Sequence, residues 1–237
     1  MKKLSALLFA LVCALPAAAT DLGDDFRNHI SASSDLSAYN KDVATMIGVA
    51  DFHTAKGATF PGFDIGASVS AIKPSDSNHI SHEDYLYTGF LTAETKLPVV
   101  GITVMARGTD MNGFKSLGGG LKYSFKLLEV IDVSTMAFYD RGSTDWYKQD
   151  HYSASATASF TFLFLTPYAG VGYDYAKMET KNLPYRLSSD DDSVRYTVGA
   201  SLKTVSVRLP VRCLHQNGRE RGLSRRYRPE FLTVYGL

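Results

Sequence analysis

The stretch Ser153 to Phe164, SASATASFTFLF, alternates between polar and apolar residues. Ser153, Ser155, Thr157, Ser159 and Thr161 are small and polar, and Ala154, Ala156, Ala158, Phe160, Phe162 and Phe164 between them are apolar. Successive side chains of a strand point to opposite faces, so this period of two predicts a strand with one dry and one wet face. The pattern returns along the chain. Phe63, Ile65, Ala67, Val69 and Ala71 oppose Asp64, Gly66, Ser68 and Ser70, and Tyr85 to Lys96 makes a second, less regular strand. Val100, Ile102, Val104 and Ala106 oppose Gly101, Thr103, Met105 and Arg107. Leu117, Gly119, Leu121, Tyr123 and Phe125 oppose Ser116, Gly118, Gly120, Lys122 and Ser124. Ile131 to Tyr139, Ala169 to Tyr175 and Ser193 to Leu202 complete the series.

Alternating segments of about ten residues are the signature of a transmembrane β-barrel. The expected fold is therefore all-β, an antiparallel up-and-down transmembrane barrel of about 8–10 strands. The connections fit this scheme. Those at 96–100, 126–132 and 164–168 are short and apolar-edged, whereas 74–84, 108–113, 141–151 and 178–192 are long and polar. Outer-membrane barrels have short periplasmic turns and longer loops on the other side. Tyr85, Tyr87, Phe125, Tyr139, Phe164, Tyr168 and Tyr175 fall near strand ends, where amphipathic rings suit a membrane interface. A soluble β-sandwich or lipocalin-like barrel also alternates, but its wet face should be crowded with charge. Here that face is mostly Ser, Thr and Gly, small groups that fit a narrow interior.

Residues 20–59 follow a different rhythm. Leu36, Tyr39, Val43, Met46 and Ile47 fall near helical spacing, and Asp35 is placed to cap that turn. This predicts a short helix, either a plug inside the barrel or a leader packed on its periplasmic end. Ahead of it, Lys2 and Lys3, the apolar run Leu4 to Ala14 and the small residues Ala17-Ala18-Ala19 read as a secretory signal peptide over 1–19. The apolar run is too short for a spanning helix, which needs about 20 residues. Cleavage would leave Cys213 as the one cysteine, with no intramolecular disulfide. Net charge is +1, which gives no case for a nucleic-acid partner.

Leader, strands, turns and aromatic girdles together resemble a Gram-negative outer-membrane β-barrel protein. The resemblance covers 1–19 and 60–203, and FPGFDIG at 60–66 is similar to the first strand of such exported barrels. It implies outer-membrane lipid and the barrel-assembly machinery as partners, and a final amphipathic strand ending on Phe. The chain departs from that last feature. After Lys203 alternation stops and Arg208, Arg212, Arg219, Arg221, Arg225, Arg226 and Arg228 crowd the tail. A basic tail can serve as an electrostatic arm, but it would leave the barrel open along an unpaired edge. Codon degeneracy offers another account. Reading the codons of Thr204 to Thr233 one nucleotide later permits LFPFAYLYGAYTKTGESAAYHAGIGLSF and then a stop. That reading restores a short turn, two amphipathic strands and a terminal Phe, so 204–237 is expected to be a frameshift product.

Candidate chemistry is sparse. His79, His82 and Glu83 offer imidazole and carboxylate ligands to zinc or copper, but without a further ligand cluster they read as solvated loop. Asp190-Asp191-Asp192 lacks the spaced ligands and glycine of a calcium loop and reads as a solvated acidic loop. Gly118-Gly119-Gly120 with Lys122 lacks phosphate-loop spacing. His151 near Ser153 is the nearest approach to a hydrolase pair, and no GxSxG occurs. No catalytic residue, metal site or cofactor is expected. The wet face does carry charge of both signs at Asp64, Arg107, Lys122, Asp174 and Arg195. Inside a small barrel these must be paired. The leading expectation is a small passive channel or transport-type barrel of unknown solute. The alternatives are a structural or adhesive barrel acting through its loops, a lipid-modifying barrel enzyme, and a soluble exported sandwich.

Overall fold

A computed structural model describes residues 22–31, 33–51, 55, 63–98, 100–128, 130–160, 165–202 and 232–233. Two helices, α1 (Leu22–His29) and α2 (Ser33–Val49), precede eight long strands. These are β1 (Phe63–Ile72), β2 (Leu86–Lys96), β3 (Ile102–Met111), β4 (Phe114–Leu128), β5 (Ile131–Ser143), β6 (Tyr147–Phe160), β7 (Leu165–Thr180) and β8 (Ser188–Leu202). Each pairs antiparallel with the next, an up-and-down order with no crossover, and the sheet curls into a half-barrel. The all-β class and all eight expected strands are therefore present. A two-residue strand, β9 (Leu232–Thr233), pairs with Leu202 and Ser201 and lies beside β1. Among the described residues β1 and β8 are not paired with each other. The expected leader (1–19) and the rest of the expected frameshifted tail (204–237) lie outside the described residues.

The faces follow the alternation. On β6 the side chains of Ser153, Ser155, Thr157 and Ser159 are buried, while Tyr152, Ala154, Ala158 and Phe160 are exposed. On β8 the order is the same, with Arg195 buried between exposed Val194 and Tyr196. Helix α2 touches β1, β2, β6, β7 and β8, strands from both ends of the sheet, so it lies inside the curl. Its burial is nearly all round, as expected of an element enclosed by a sheet rather than laid on a surface. Within 20–59 the structure places α2, the plug, enclosed by the curled sheet. It is preceded by α1, which the spacing did not predict. Asp35 is not its cap: the helix starts at Ser33, and Asp35 accepts from Ser31 Oγ at 2.8 Å within the first turn.

Three connections expected to be long are shorter. Asp110 pairs with Lys115, and a two-residue turn at Asn112-Gly113 joins β3 to β4, both residues at positive φ. That is the backbone a right-twisted hairpin needs, and Asn-Gly adopts it readily. Arg141 pairs with Asp150, and Lys177 with Asp190, so 141–151 and 178–192 shrink to 144–146 and 181–187. Charged residues at these positions suggest loop. They are instead cross-strand pairs that carry the ladder beyond the apolar band, such as Arg141 Nε to Asp150 Oδ1 at 2.8 Å. The expected turn at 164–168 is displaced as well: Leu165 already belongs to β7 and Tyr168 is buried, facing inward rather than joining an aromatic girdle. Thr161, Phe162 and Phe164 lie outside the described residues.

Candidate functional site

Five strands and the plug bring six ionisable side chains together in one closed circuit. Arg107 sits on β3, Asp140 on β5, His151 on β6, Asp174 on β7 and Arg195 on β8, each at an inward position of its strand. Asp51, just past α2, is the member contributed by the N-terminal segment. Arg107 forks onto Asp140, Nε at 2.8 Å from Oδ1 and Nη2 at 2.6 Å from Oδ2, while its Nη1 donates to Asp51 Oδ1 at 2.6 Å. Asp140 Oδ2 lies 3.2 Å from His151 Nδ1, and His151 Nε2 lies 3.0 Å from Asp174 Oδ1. Arg195 donates through Nη1 to both oxygens of Asp174 and through Nη2 to Asp51 Oδ2 at 3.0 Å, which closes the circuit. Ser153 Oγ adds a 2.7 Å bond to Asp51 Oδ2.

Burial makes the pairing obligatory. Asp51, Asp140, His151 and Asp174 have no accessible surface, and Arg107 and Arg195 almost none. Moving an unpaired ion into such a place costs several kcal/mol even after relaxation, roughly the scale at which a buried pair becomes necessary. Three carboxylates face two guanidiniums and one imidazole, so the charges balance when His151 is an imidazolium. Only that form has a hydrogen on each ring nitrogen, and each nitrogen here faces a carboxylate oxygen. Arg107 is further enclosed by rings, its Cζ lying 4.2 Å from the centre of Phe138 and 5.4 Å from that of Phe90.

Glycines make the room. Gly118 stands between Arg107 and Asp140 in the register, and a Cβ there would lie 1.9 Å from Asp140 Oδ1. Gly172 faces Arg195, with 2.6 Å from such a Cβ to Nη2, and Gly120 gives its space to the Phe138 ring. Gly118 and Gly120 therefore serve close packing across β4.

Above the circuit, at the end of the longer loops, the interior turns apolar. Phe26, Tyr39, Val43 and Met46 of the helices join Leu86, Phe90, Phe114, Tyr147 and Met178 of the wall in one buried cluster. Tyr39 donates to the Leu22 carbonyl at 3.2 Å, and Gln149 Nε2 donates to Asn40 Oδ1 at 2.7 Å. The loops fasten onto the plug: Asp42 Oδ2 accepts from Asn78 Nδ2 at 2.7 Å and from the Ser75 amide at 3.0 Å, and Tyr185 donates to the Ile30 carbonyl at 3.0 Å. Toward the short-turn end, the Ala55 amide donates to Ser159 Oγ at 3.2 Å. The N-terminal segment thus runs from the loop rim, past the circuit, to within reach of the far end of β6.

Of the five charged residues expected to face inward, Arg107, Asp174 and Arg195 meet in the circuit. Lys122 is also fully buried but sits apart, 3.5 Å from Glu94 Oε2. Asp64 is half-buried near the short-turn end, opposite Glu94 in the register. Asp140 and Asp51 were missed. Asp140 continues the inward series of Ser134, Met136 and Phe138, which runs past the expected strand end at Tyr139. His151 and Ser153 share a strand face, but the imidazole points at two carboxylates and the hydroxyl at Asp51. His82 stacks on His29 at 3.9 Å between ring centres, with His79 and Glu83 exposed. Asp190 to Asp192 lie in β8, not in a loop, and Asp191 accepts from Ser37 Oγ at 2.5 Å and Asn40 Nδ2 at 3.0 Å. No protein-family model, curated protein or solved structure matches the chain.

Proposed function

We propose that the chain is an integral outer-membrane β-barrel of transport type, stoppered in its resting state by its own N-terminal helices. The inversion of polarity across the wall carries this reading. Ile65, Leu117, Tyr196 and Val198 are 73–82% exposed on the outside, while Arg107, Asp140, His151 and Asp174 are buried inside. A water-soluble sheet protein buries the first kind and exposes the second; a barrel in lipid does the reverse. A ladder of Tyr139, Tyr152 and Tyr175, with ring centres 4.9 and 6.2 Å apart across three strands, supplies one interfacial girdle. The leader at 1–19 provides the export route, and lipid and the assembly machinery are the partners this location requires.

With α2 and the circuit filling the interior, passage needs the plug to move, so resting conductance is low. In this reading the barrel is not an enzyme, since His151 and Ser153 are engaged in the circuit. A second reading, a structural barrel acting through its loop end, draws on the fastening of loops 73–85 and 181–187 to the helices. Planar-bilayer recordings separate the two. The refolded chain should be nearly silent, and a variant lacking 22–55 should open in steps. If that variant inserts and stays silent, the transport reading is wrong and the structural one stands.

A further inference from the structure

We propose that the inner wall of the barrel carries a carboxylate-binding site, formed by Arg107, Arg195 and Ser153, which Asp51 fills in cis. Three strands supply its donors: Nη1 of Arg107 to one oxygen of the Asp51 carboxylate, and Nη2 of Arg195 with Oγ of Ser153 to the other. Two oxygens in one plane, each met by its own donors, is the recognition geometry of a carboxylate. The donors are held by the wall itself. Arg107 is forked onto Asp140 and Arg195 is bound to Asp174, so both guanidiniums keep a wall partner whatever occupies the third position.

Asp51 differs from the other members of the circuit in belonging to the plug. Take it away and the wall keeps two guanidiniums and an imidazolium against Asp140 and Asp174, an excess of one positive charge. A monovalent anion restores the balance. Chloride can do so but answers the donors at one point. A dianion overshoots. A small carboxylate reproduces both charge and shape. The site therefore assigns a solute class to the transport reading on which this part rests: a molecule bearing a carboxylate, admitted when Asp51 withdraws with the plug.

The test uses the full chain carrying Asp51→Gly, refolded in detergent, with formate and acetate compared with chloride and sulfate at equal ionic strength. Formate and acetate should raise its thermal unfolding midpoint saturably, with half-saturation on the order of millimolar. The wild type should show no such response. Adding Ser153→Ala should weaken the formate effect about tenfold, the loss of one hydrogen bond to a charged group. Where Asp51→Gly refolds poorly, refolding yield is the readout, and recovery in formate but not in chloride supports the site. Equal effects of all four salts, or no recovery in formate, overturn it. Because nothing here depends on conductance, a silent channel and an absent carboxylate site are separate failures.

Discussion

Gly48 of α2 and Arg195 of β8 meet so closely that a Cβ on the glycine would lie 1.5 Å from Nη1 and 2.5 Å from Asp174 Oδ1. The plug and the charged circuit leave no room between them for a single carbon. Alanine normally favours a helix over glycine by about 1 kcal/mol. Here Gly48→Ala should have the opposite sign, destabilising by about 1–3 kcal/mol through overpacking. The unfolding midpoint in detergent measures it, and a neutral or stabilised variant would mean that the helix does not sit against Arg195.

Arg107 and Asp140 give the energetic test of the circuit. Removing one partner of a buried pair strands the other, at about 3–5 kcal/mol. Arg107→Met and Asp140→Asn should each be costly. The double variant should cost less than the two added together, by at least about 1 kcal/mol, because the stranded charge disappears with its partner. Additive losses in a denaturant-unfolding cycle would show that the two side chains do not share a bond.

The strands were legible because each needs one outward and one inward face, and a period of two survives whatever lies on either side. Where legibility fails, the plug is the reason. Leu86 and Phe90 of β2 point inward yet are apolar, since they pack in the cluster that holds Phe26 and Val43, and so the second strand looked irregular. Asp140 was hidden by charge: Arg141 and Asp150, an exposed cross-strand pair, made the end of β5 read as loop. Arg107, Asp174 and Arg195 could be assigned to one face by alternation alone. Which of them would meet depends on register across the six strands from β3 to β8, and Asp51 lies on a segment with no alternation to read.

His151 makes a spectroscopic prediction. With Asp140 Oδ2 at 3.2 Å from Nδ1 and Asp174 Oδ1 at 3.0 Å from Nε2, both ring nitrogens need hydrogens. Nitrogen-15 shifts of the refolded protein near neutral pH should report an imidazolium, lost in His151→Gln. A neutral tautomer would leave one oxygen facing a bare nitrogen and the circuit with an excess of negative charge, and the closed-circuit description would have to be abandoned.

Leu121, in the middle of β4 and exposed on the outer face, distinguishes lipid from water around the sheet. Arginine at an exposed site in water changes stability by no more than about 0.5 kcal/mol. At the midplane of a bilayer it costs about 2–4 kcal/mol. Leu121→Arg should therefore weaken the protein in lipid vesicles by the larger amount, as read from urea unfolding. Insensitivity there would favour a soluble sheet and remove the membrane reading.

The two edges of the sheet frame the last prediction. Among the described residues β1 and β8 are not paired with each other, and Leu232–Thr233 is the one described segment that lies beside both. Unpaired edges in a barrel invite aggregation and are closed in stable ones. The shifted reading of the codons after Lys203 would supply two alternating strands for this gap and a terminal Phe. Nucleotide sequencing from codon 195 past codon 237, on independently prepared DNA, should show that frame open to its stop. A repaired chain should then refold in higher yield and resist heat in detergent better than the chain ending at Leu237. Codons that forbid the shifted strands would make the basic tail genuine, and closure would have to come from β9 or from a second copy of the sheet.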